Sequence, residues 1–139
     1  ISPGDRERIE IHTQRLQDVD SQLFDRLEEN DILFLDSTHV SKVGSDVNQI
    51  FFEILPRLAC GVHIHFHDIF YPFEYPKEWI YSGRAWTEVY LLRAFLQYNR
   101  VFEVVLMNSY LHKFQMEFFN KEMTLCNRNT GGNIWIRKL

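Results

Sequence analysis

One short segment constrains the fold of this chain more than any other. Residues 31–36 read Asp-Ile-Leu-Phe-Leu-Asp, a continuous apolar run between two acids. Such a run is typical of a strand that is buried on both faces of a parallel sheet. Residues 45–58 then carry apolar side chains at helical spacing, and residues 62–68 form the next apolar stretch. The three segments predict a strand, a crossover helix and a second parallel strand.

The rest of the chain continues this alternation of strands and helices. We expect further strands at residues 8–12, 102–107 and 133–137, and helices that begin at Ser21 or span residues 84–98 and 110–122. The order predicts an α/β fold in one domain, residues 1–139. Its sheet is expected to be mainly parallel, with about five strands and helices on both faces.

Composition excludes several classes of protein. The chain has 139 residues, of which 45% are hydrophobic and 24% charged, so it is not disordered. A net charge of −4 predicts neither a nucleic-acid partner nor an anionic membrane partner. A membrane-spanning helix requires about 18 consecutive residues without charge, and the sequence contains no such stretch. Cys60 and Cys126 form no pair motif, which indicates a reducing, cytoplasmic compartment.

Polar residues follow the two central strands. Asp36, Ser37 and His39 come directly after the first of them, and His67 and Asp68 end the second. Ligands of parallel α/β sheets bind outside the carboxyl ends of the strands, so these residues are candidates for a site. The alternative is that Asp36 and Ser37 only close a turn through hydrogen bonds to backbone N–H groups.

Histidines occupy alternate positions 63, 65 and 67 of the second strand, so they share one face. Two of them and a carboxylate would make a mixed nitrogen and oxygen metal site, with His65, His67 and Asp68 as candidates. The alternative is that the histidines are hydrogen-bonded core or interface residues. The sequence leaves both interpretations open.

An aromatic loop follows the histidine strand. It contains two prolines, and it is too apolar for a solvated loop. Its position after a strand end indicates a lid or a substrate wall, although a loop folded onto the core is an equal alternative. The aromatic candidates for substrate contact are Phe70, Tyr71, Phe73, Tyr75 and Trp79.

Residues 31–79 resemble the central part of a known family. The stretch is DILFLDSTHVSKVGSDVNQIFFEILPRLACGVHIHFHDIFYPFEYPKEW, and GRAWTEVYLLRAFLQYN and the closing GGNIWIRK extend the likeness. The family is that of the bacterial class I methyltransferases that depend on S-adenosylmethionine. In these, one strand ends in an Asp-Ser-Ser-His type of motif, and the next ends in His-Asp.

The resemblance implies a Rossmann-like fold in which this chain supplies strands three to seven. The first two strands and their glycine-rich cofactor motif have no counterpart here, so the chain is expected to be the C-terminal portion of such a domain. The implied cofactor is S-adenosylmethionine, with Ser2, Asp36 and Ser37 on the cofactor side. Because that motif is missing, we expect this chain alone to bind the cofactor weakly or not at all, and to be inactive.

The implied reaction is methyl transfer to a small-molecule acceptor. Asp36, His39, His67 and Asp68 are then the candidate catalytic residues, with His39 or His67 as the base. Two alternatives are a non-catalytic remnant that oligomerises and a metal-binding domain that uses the histidine strand. Strands 8–12 and 31–36 lack the neighbours that would cover their edges, and they could pair with each other within the chain or across the two-fold axis of a homodimer. We expect the homodimer, because it also buries the exposed apolar faces of the helices.

Overall fold

The computed structural model describes residues 3–139 and shows a four-stranded sheet with helices packed against it. The strands are β1 (Ile32–Leu35), β2 (His63–His67), β3 (Phe102–Met107) and β4 (Asn133–Lys138). The α-helices are α1 (Pro3–Arg6), α2 (Asp46–Gln49), α3 (Lys77–Tyr81), α4 (Glu88–Gln97), α5 (Asn108–Phe114) and α6 (Met116–Glu122).

The helix predicted over residues 45–58 changes its winding twice. Ser45 caps α2 by accepting a hydrogen bond from the backbone N–H of Asn48. A π-helical turn, Ile50–Ile54, and a 3-10 turn, Leu55–Arg57, continue the same segment. Pro56 lies in that last turn, where proline removes a helical hydrogen bond and tightens the end.

The sheet order is β1-β2-β4-β3, and this corrects the expected sheet of five mainly parallel strands. β1 and β2 pair in parallel as predicted, but β4 lies between β2 and β3 and is antiparallel to both. The connection that leads into β4 explains the difference. Two helices, α5 and α6, separated at Gln115 stand where one helix was predicted. One crossover helix returns the chain to the strand start, whereas two successive helices leave it at the opposite end.

The predicted strand at residues 8–12 is also wrong, because this segment has no regular structure. Its alternating residues Ile9 and Ile11 are largely exposed and have no sheet to pack on. The predicted helix at Ser21 is instead a 3-10 segment, Ser21–Arg26, which Asp20 caps. A short apolar alternation therefore stays irregular when no neighbouring strand pairs with it.

The two faces of the sheet differ in burial. Leu33, Ile64 and Ile136 lie on the sheet face that packs against the helical segments. Ile50 and Leu92 of those segments are buried in the same core. Ring contacts such as Phe51 with Phe66, at 5.5 Å between centroids, join helix to sheet. On the opposite face of β1, Ile32 is 57% exposed and Phe34 is 58% exposed, so the prediction of a strand buried on both faces is wrong for β1. Within residues 3–139 no helix has the length and apolarity needed to cross a membrane.

The central position of β4 gives a first prediction. Ile136 is fully buried and pairs with Ile64 on one side and Val104 on the other. Ile136→Ala is expected to lower the free energy of unfolding by about 2–5 kcal/mol, because the cavity lies between three strands. The control Val43→Ala, at a fully exposed position, should change it by less than about 0.5 kcal/mol. Urea unfolding of both variants measures the difference, and equal effects would contradict this sheet order.

Candidate functional site at the carboxyl ends of β1 and β2

The parallel register places the ends of β1 and β2 side by side. Leu35 pairs with Phe66, so Asp36 follows one strand where His67 and Asp68 close the next. Neighbouring strands lie about 4.8 Å apart, which brings the side chains of these residues within reach of one another. The structure thus gathers Asp36, His39 and Asp68 at one edge of the sheet.

His39 is anchored through its backbone before its ring makes any contact. Its N–H donates to Oγ of Ser37 at 2.9 Å. Its carbonyl oxygen accepts from the N–H groups of Thr87, at 2.8 Å, and Glu88, at 3.1 Å. The loop after β1 is therefore tied to the first turn of α4, and this tie sets where Glu88 enters the site.

A buried carboxylate holds the His39 ring. Nδ1 of His39 lies 2.7 Å from Oε2 of Glu88, and the hydroxyl of Ser37 donates to Oε1 of Glu88 at 3.0 Å. Glu88 is 1% exposed and His39 is 4% exposed. Burying a carboxylate is costly unless it is paired and hydrogen-bonded, and here both conditions are met. With Nδ1 turned to Glu88, the other ring nitrogen, Nε2, faces the strand ends.

Glu88 was not among the residues that the sequence predicted for the site. The available signal was its place on α4, four residues before Leu92 and so on the buried side of that helix. A charged residue on the apolar face of an amphipathic helix needs a partner, and the histidines were the candidates. Which histidine it meets depends on the loop geometry, and the sequence does not specify that geometry.

Two further carboxylates approach the other nitrogen of His39. Nε2 lies 3.4 Å from Oδ1 of Asp36 and 3.7 Å from Oδ2 of Asp68. Burial by itself would lower the pKa of His39. The hydrogen bond to Glu88 and the negative charges of Glu88, Asp68 and Asp36 outweigh burial, so the pKa of His39 lies above its usual value. The cluster favours an imidazolium surrounded by three acids.

His67 lies on the other side of the strand end. Its Nδ1 accepts a hydrogen bond from the backbone N–H of Asp68 at 2.9 Å. In the neutral ring the proton is therefore on Nε2, which leaves that atom unable to accept another. The His67 ring approaches the rings of Phe34 and His65 at centroid distances of 6.2 and 5.8 Å. His67 thus faces the side of the sheet opposite to Ile64 and Phe66.

The metal interpretation of the histidine strand finds no support. Among residues 3–139, no group of three or more His, Cys, Asp or Glu side chains is arranged to hold an ion. His65 stacks on Phe34 with ring centroids 4.2 Å apart, and neither of its ring nitrogens has a hydrogen-bond partner among the described residues. Burial and then the nearby His67 lower the pKa of His65, so its ring is held neutral.

The aromatic loop divides into two groups of side chains. The rings of Phe70 and Trp79 meet at 5.2 Å, those of Trp79 and Trp86 at 5.3 Å, and Trp86 contacts the His39 ring at 4.1 Å. Tyr75 packs on Trp86 and accepts a hydrogen bond from the N–H of Val89. Three of the predicted substrate residues, Phe70, Tyr75 and Trp79, therefore belong to a packed aromatic wall beside His39.

Tyr71 and Phe73 lie apart from that wall. They line a cavity of about 500 Å³ next to β3, and neither His39 nor the acids around it contribute to that cavity. Asp36 and Asp68 instead reach the surface at the strand ends, where their side chains are 58% and 22% exposed. The site and this cavity are thus distinct features of the molecule.

Backbone strain is concentrated at this edge. Four non-glycine residues among residues 3–139 have a positive φ, and three of them are His39 at 57°, Asp68 at 57° and Phe73 at 69°. The left-handed region costs about 1–2 kcal/mol for such residues. Strain of this kind persists where the surrounding structure imposes it, and it is frequent at functional sites. The two residues that face each other across the strand ends are both strained.

The predicted cofactor residues fit only part of a nucleoside-bearing cofactor. Asp36 offers carboxylate oxygens at the surface, whereas Ser37 is engaged with Glu88 and His39. Ser2 lies outside the described residues. No glycine-rich turn follows a strand between residues 3 and 139, so these residues do not form the cradle for the amino-acid end of the cofactor.

One known family is similar to the first part of this chain. Residues 2–69 match a methyltransferase-domain family. The match spans both strand ends, from Asp36 to Asp68, and supports a methyltransferase domain built around them. No curated protein and no solved structure matches the chain. Glu88, which holds His39 in place, lies beyond the matched residues.

The carboxylates around His39 predict that the stability of the fold depends on pH. A histidine in the unfolded chain titrates near its usual pKa of about 6.5, and the pKa of His39 is raised on folding. The stabilisation that protonated His39 gives to the folded state is therefore complete below about pH 6.5. It is lost as pH rises through the pKa of His39 in the folded protein. Urea unfolding between about pH 6 and pH 9 should show a falling free energy of unfolding, absent in His39→Gln.

Glu88→Gln separates the charge of Glu88 from its shape. The variant should lower the His39 pKa, measured by NMR titration of the ring, because the charged acceptor is lost. At about pH 6 it should lower the free energy of unfolding by about 1.5–3 kcal/mol, the range for a hydrogen bond to a charged group. Glu117→Gln, on the exposed surface of α6, is the control and should change neither. An unaltered His39 titration in Glu88→Gln would contradict the assignment.

Proposed function

We propose that this chain supplies the acceptor side of a methyltransferase that uses S-adenosylmethionine and methylates a small molecule. The proposal depends on one observation above all: the family match covers the two strand ends that bring Asp36, His39 and Asp68 together. Bound S-adenosylmethionine supplies an electrophilic methyl group. The residues described here act on the acceptor, which must be positioned and must lose a proton if it is a hydroxyl.

Asp68 and Asp36 are the groups that contact the acceptor in this proposal. Their carboxylates reach the surface, whereas the His39 side chain is 5% exposed and covered by Trp86. When the acceptor hydroxyl is methylated, its O–H bond breaks as the new O–C bond forms, and the proton passes to the carboxylate of Asp68 or Asp36, which becomes neutral. Before that step, protonated His39 keeps both carboxylates ionised, so that either can accept the proton. Glu88 fixes the His39 ring so that Nε2 points between the two acids. His39 and Glu88 are thus positioning residues, and the Asp pair is the catalytic pair.

The aromatic wall gives the proposed site a dry boundary. The contacts of Phe70 with Trp79 and of Trp79 with Trp86 are edge to face, and Trp86 lies tilted against the His39 ring. Gly132 permits this arrangement, because a Cβ atom there would lie 2.2 Å from the Phe70 ring. A low-dielectric wall strengthens the interaction between His39 and its acids. The wall therefore supports the proton chemistry and need not contact the acceptor.

NMR titration with S-adenosylhomocysteine tests the proposed function. Backbone amide shifts should be confined to residues 36–39 and 67–69, whatever the affinity. Because these residues lack a glycine cradle, we expect a Kd of about 0.1 mM or weaker. Asp36→Asn, on the cofactor side, should abolish the shifts, and Asp25→Asn, in a surface pair with Arg57, should not. Shifts elsewhere, or none at millimolar concentration, would contradict the proposal.

We also propose that the chain forms a homodimer through the open edge of β1. The segment 8–12, once a candidate partner for this edge, forms no strand, and β1 pairs only with β2 among the described residues. Ile32 and Phe34 are exposed on one face of this edge strand, so apolar surface borders the open edge. Asp31 and Asp36 flank β1, and antiparallel pairing of two copies would bring these acids close together. Salt should therefore strengthen the dimer.

Sedimentation velocity tests this assembly. The chain should sediment as a dimer at tens of micromolar, more completely at about 0.5 M than at about 0.05 M salt, because salt screens the acids. Phe34→Lys should shift it to monomer, and Val43→Lys, at an exposed site away from the sheet, should leave it dimeric. A monomer under all these conditions would refute the dimer.

A further inference from the structure

The cavity beside β3 has the size and lining of a small-molecule site. It measures about 500 Å³, within the range of roughly 300–1,000 Å³ that is usual for such sites. Tyr71 and Phe73 form one wall, and Tyr110 and Leu111 of α5 form another. Residues 104–107 of β3 supply the floor, and the side chains of the lining residues are apolar apart from two phenol hydroxyls.

The floor of this cavity is an exposed apolar surface on an edge strand. Val104 and Val105 are 53% and 50% exposed, and Leu106 is 38% exposed. Exposed apolar surface in contiguous residues marks a binding surface. The pairing with β4 shifts between Val104 and Leu106, which leaves Val105 in a bulge. A bulge interrupts a regular strand edge and opposes the addition of another strand, so a small molecule fits this surface better than a protein strand.

The aromatic walls are held in place without a ligand. The backbone N–H of Tyr71 donates to Oγ of Ser109 at 2.8 Å, which ties the loop to α5. The Tyr71 and Tyr110 rings meet edge to face at 5.3 Å, and the ammonium of Lys113 lies 5.2 Å above the Tyr71 ring. Rings fixed in this way present their free faces and edges to a planar molecule at little entropic cost.

Phe73 lines the cavity and has a strained backbone, as His39 and Asp68 of the proposed site do. Its φ of 69° is unusual for a bulky residue, and its N–H donates to the carbonyl of Phe70 at 2.6 Å. This turn directs the chain from the aromatic wall to the cavity. Tyr71 is three residues after Asp68, so their Cα atoms are at most about 11 Å apart. Tyr71, which lines the cavity, is thus close enough to Asp68 for one acceptor molecule to contact both.

We propose that this cavity binds the body of the methyl acceptor and that the acceptor is a flat aromatic alcohol. The inference rests on the proposed function, which supplies the methyl-transfer chemistry at Asp68. It adds the class of substrate, since an apolar cavity with three aromatic rings selects planar apolar molecules over sugars, amino acids and nucleotides.

Binding of 1-naphthol to the full chain tests the proposal. In methyl-detected NMR, the expected shifts are those of Leu106, Met107 and Leu111, which line the cavity. Val105→Trp should weaken binding at least about tenfold, because the indole fills the cavity. Val43→Trp, the same change at a fully exposed position, should leave the affinity unaltered. Unchanged affinity in Val105→Trp, or shifts only at methyl groups outside the cavity lining, would overturn the proposal.

A second variant guards against a failure of Val105→Trp to fold. Tyr110→Ala removes one aromatic wall at a position that is 44% exposed, and it should also weaken 1-naphthol binding. Both variants must keep the wild-type melting temperature to within a few degrees. If Val105→Trp instead abolishes self-association and the wild type shows no 1-naphthol binding, a second protein chain occupies the cavity and the proposal fails.

The test separates this inference from the proposed function. Shifts caused by S-adenosylhomocysteine should appear at residues 36–39 and should persist in Val105→Trp. Binding of 1-naphthol without any response to S-adenosylhomocysteine would keep the cavity as an aromatic-ligand site and reject the methyltransferase function. A response to S-adenosylhomocysteine without 1-naphthol binding would keep that function and reject the acceptor class.

Discussion

The buried contact between His39 and Glu88 organises this edge of the molecule. It joins the loop after β1 to the start of α4, and backbone hydrogen bonds from Thr87 and Glu88 to the His39 carbonyl support the same junction. Because both side chains are removed from water, neither tolerates the loss of the other. The positions of Asp36, Asp68 and Trp86 around His39 all follow from this contact.

Electrostatics and packing act together at this junction. Three carboxylates surround one imidazole, so protonated His39 offsets repulsion among acids that lie at adjacent strand ends. The Trp86 ring covers His39, and the aromatic wall behind it limits the access of water. The acids nearest the surface are then held at fixed positions, which is the preorganisation that catalysis by positioned groups requires.

The sequence predicted β1, β2 and the residues at their ends, because these depend on short-range patterns. A run such as residues 31–36 is apolar on both sides, and its parallel pairing with β2 follows from the helix between them. The five-strand, mainly parallel sheet was wrong for an equally local reason. The break at Gln115 turns one predicted helix into α5 and α6, and this reverses the direction in which β4 enters the sheet.

The sequence by itself determined the β1–helix–β2 unit, the acids at its carboxyl edge and the aromatic loop that follows. Only the tertiary structure decided that Glu88, 49 residues away from His39, completes the cluster. It also decided that Phe70 and Trp79 form a wall beside His39 while Tyr71 and Phe73 line a separate cavity. The reason is physical: periodicity records which face of an element is buried. Which distant side chains meet depends on loop conformations and on the placement of the helices. These are set by all the contacts of the fold together, and not by any one segment.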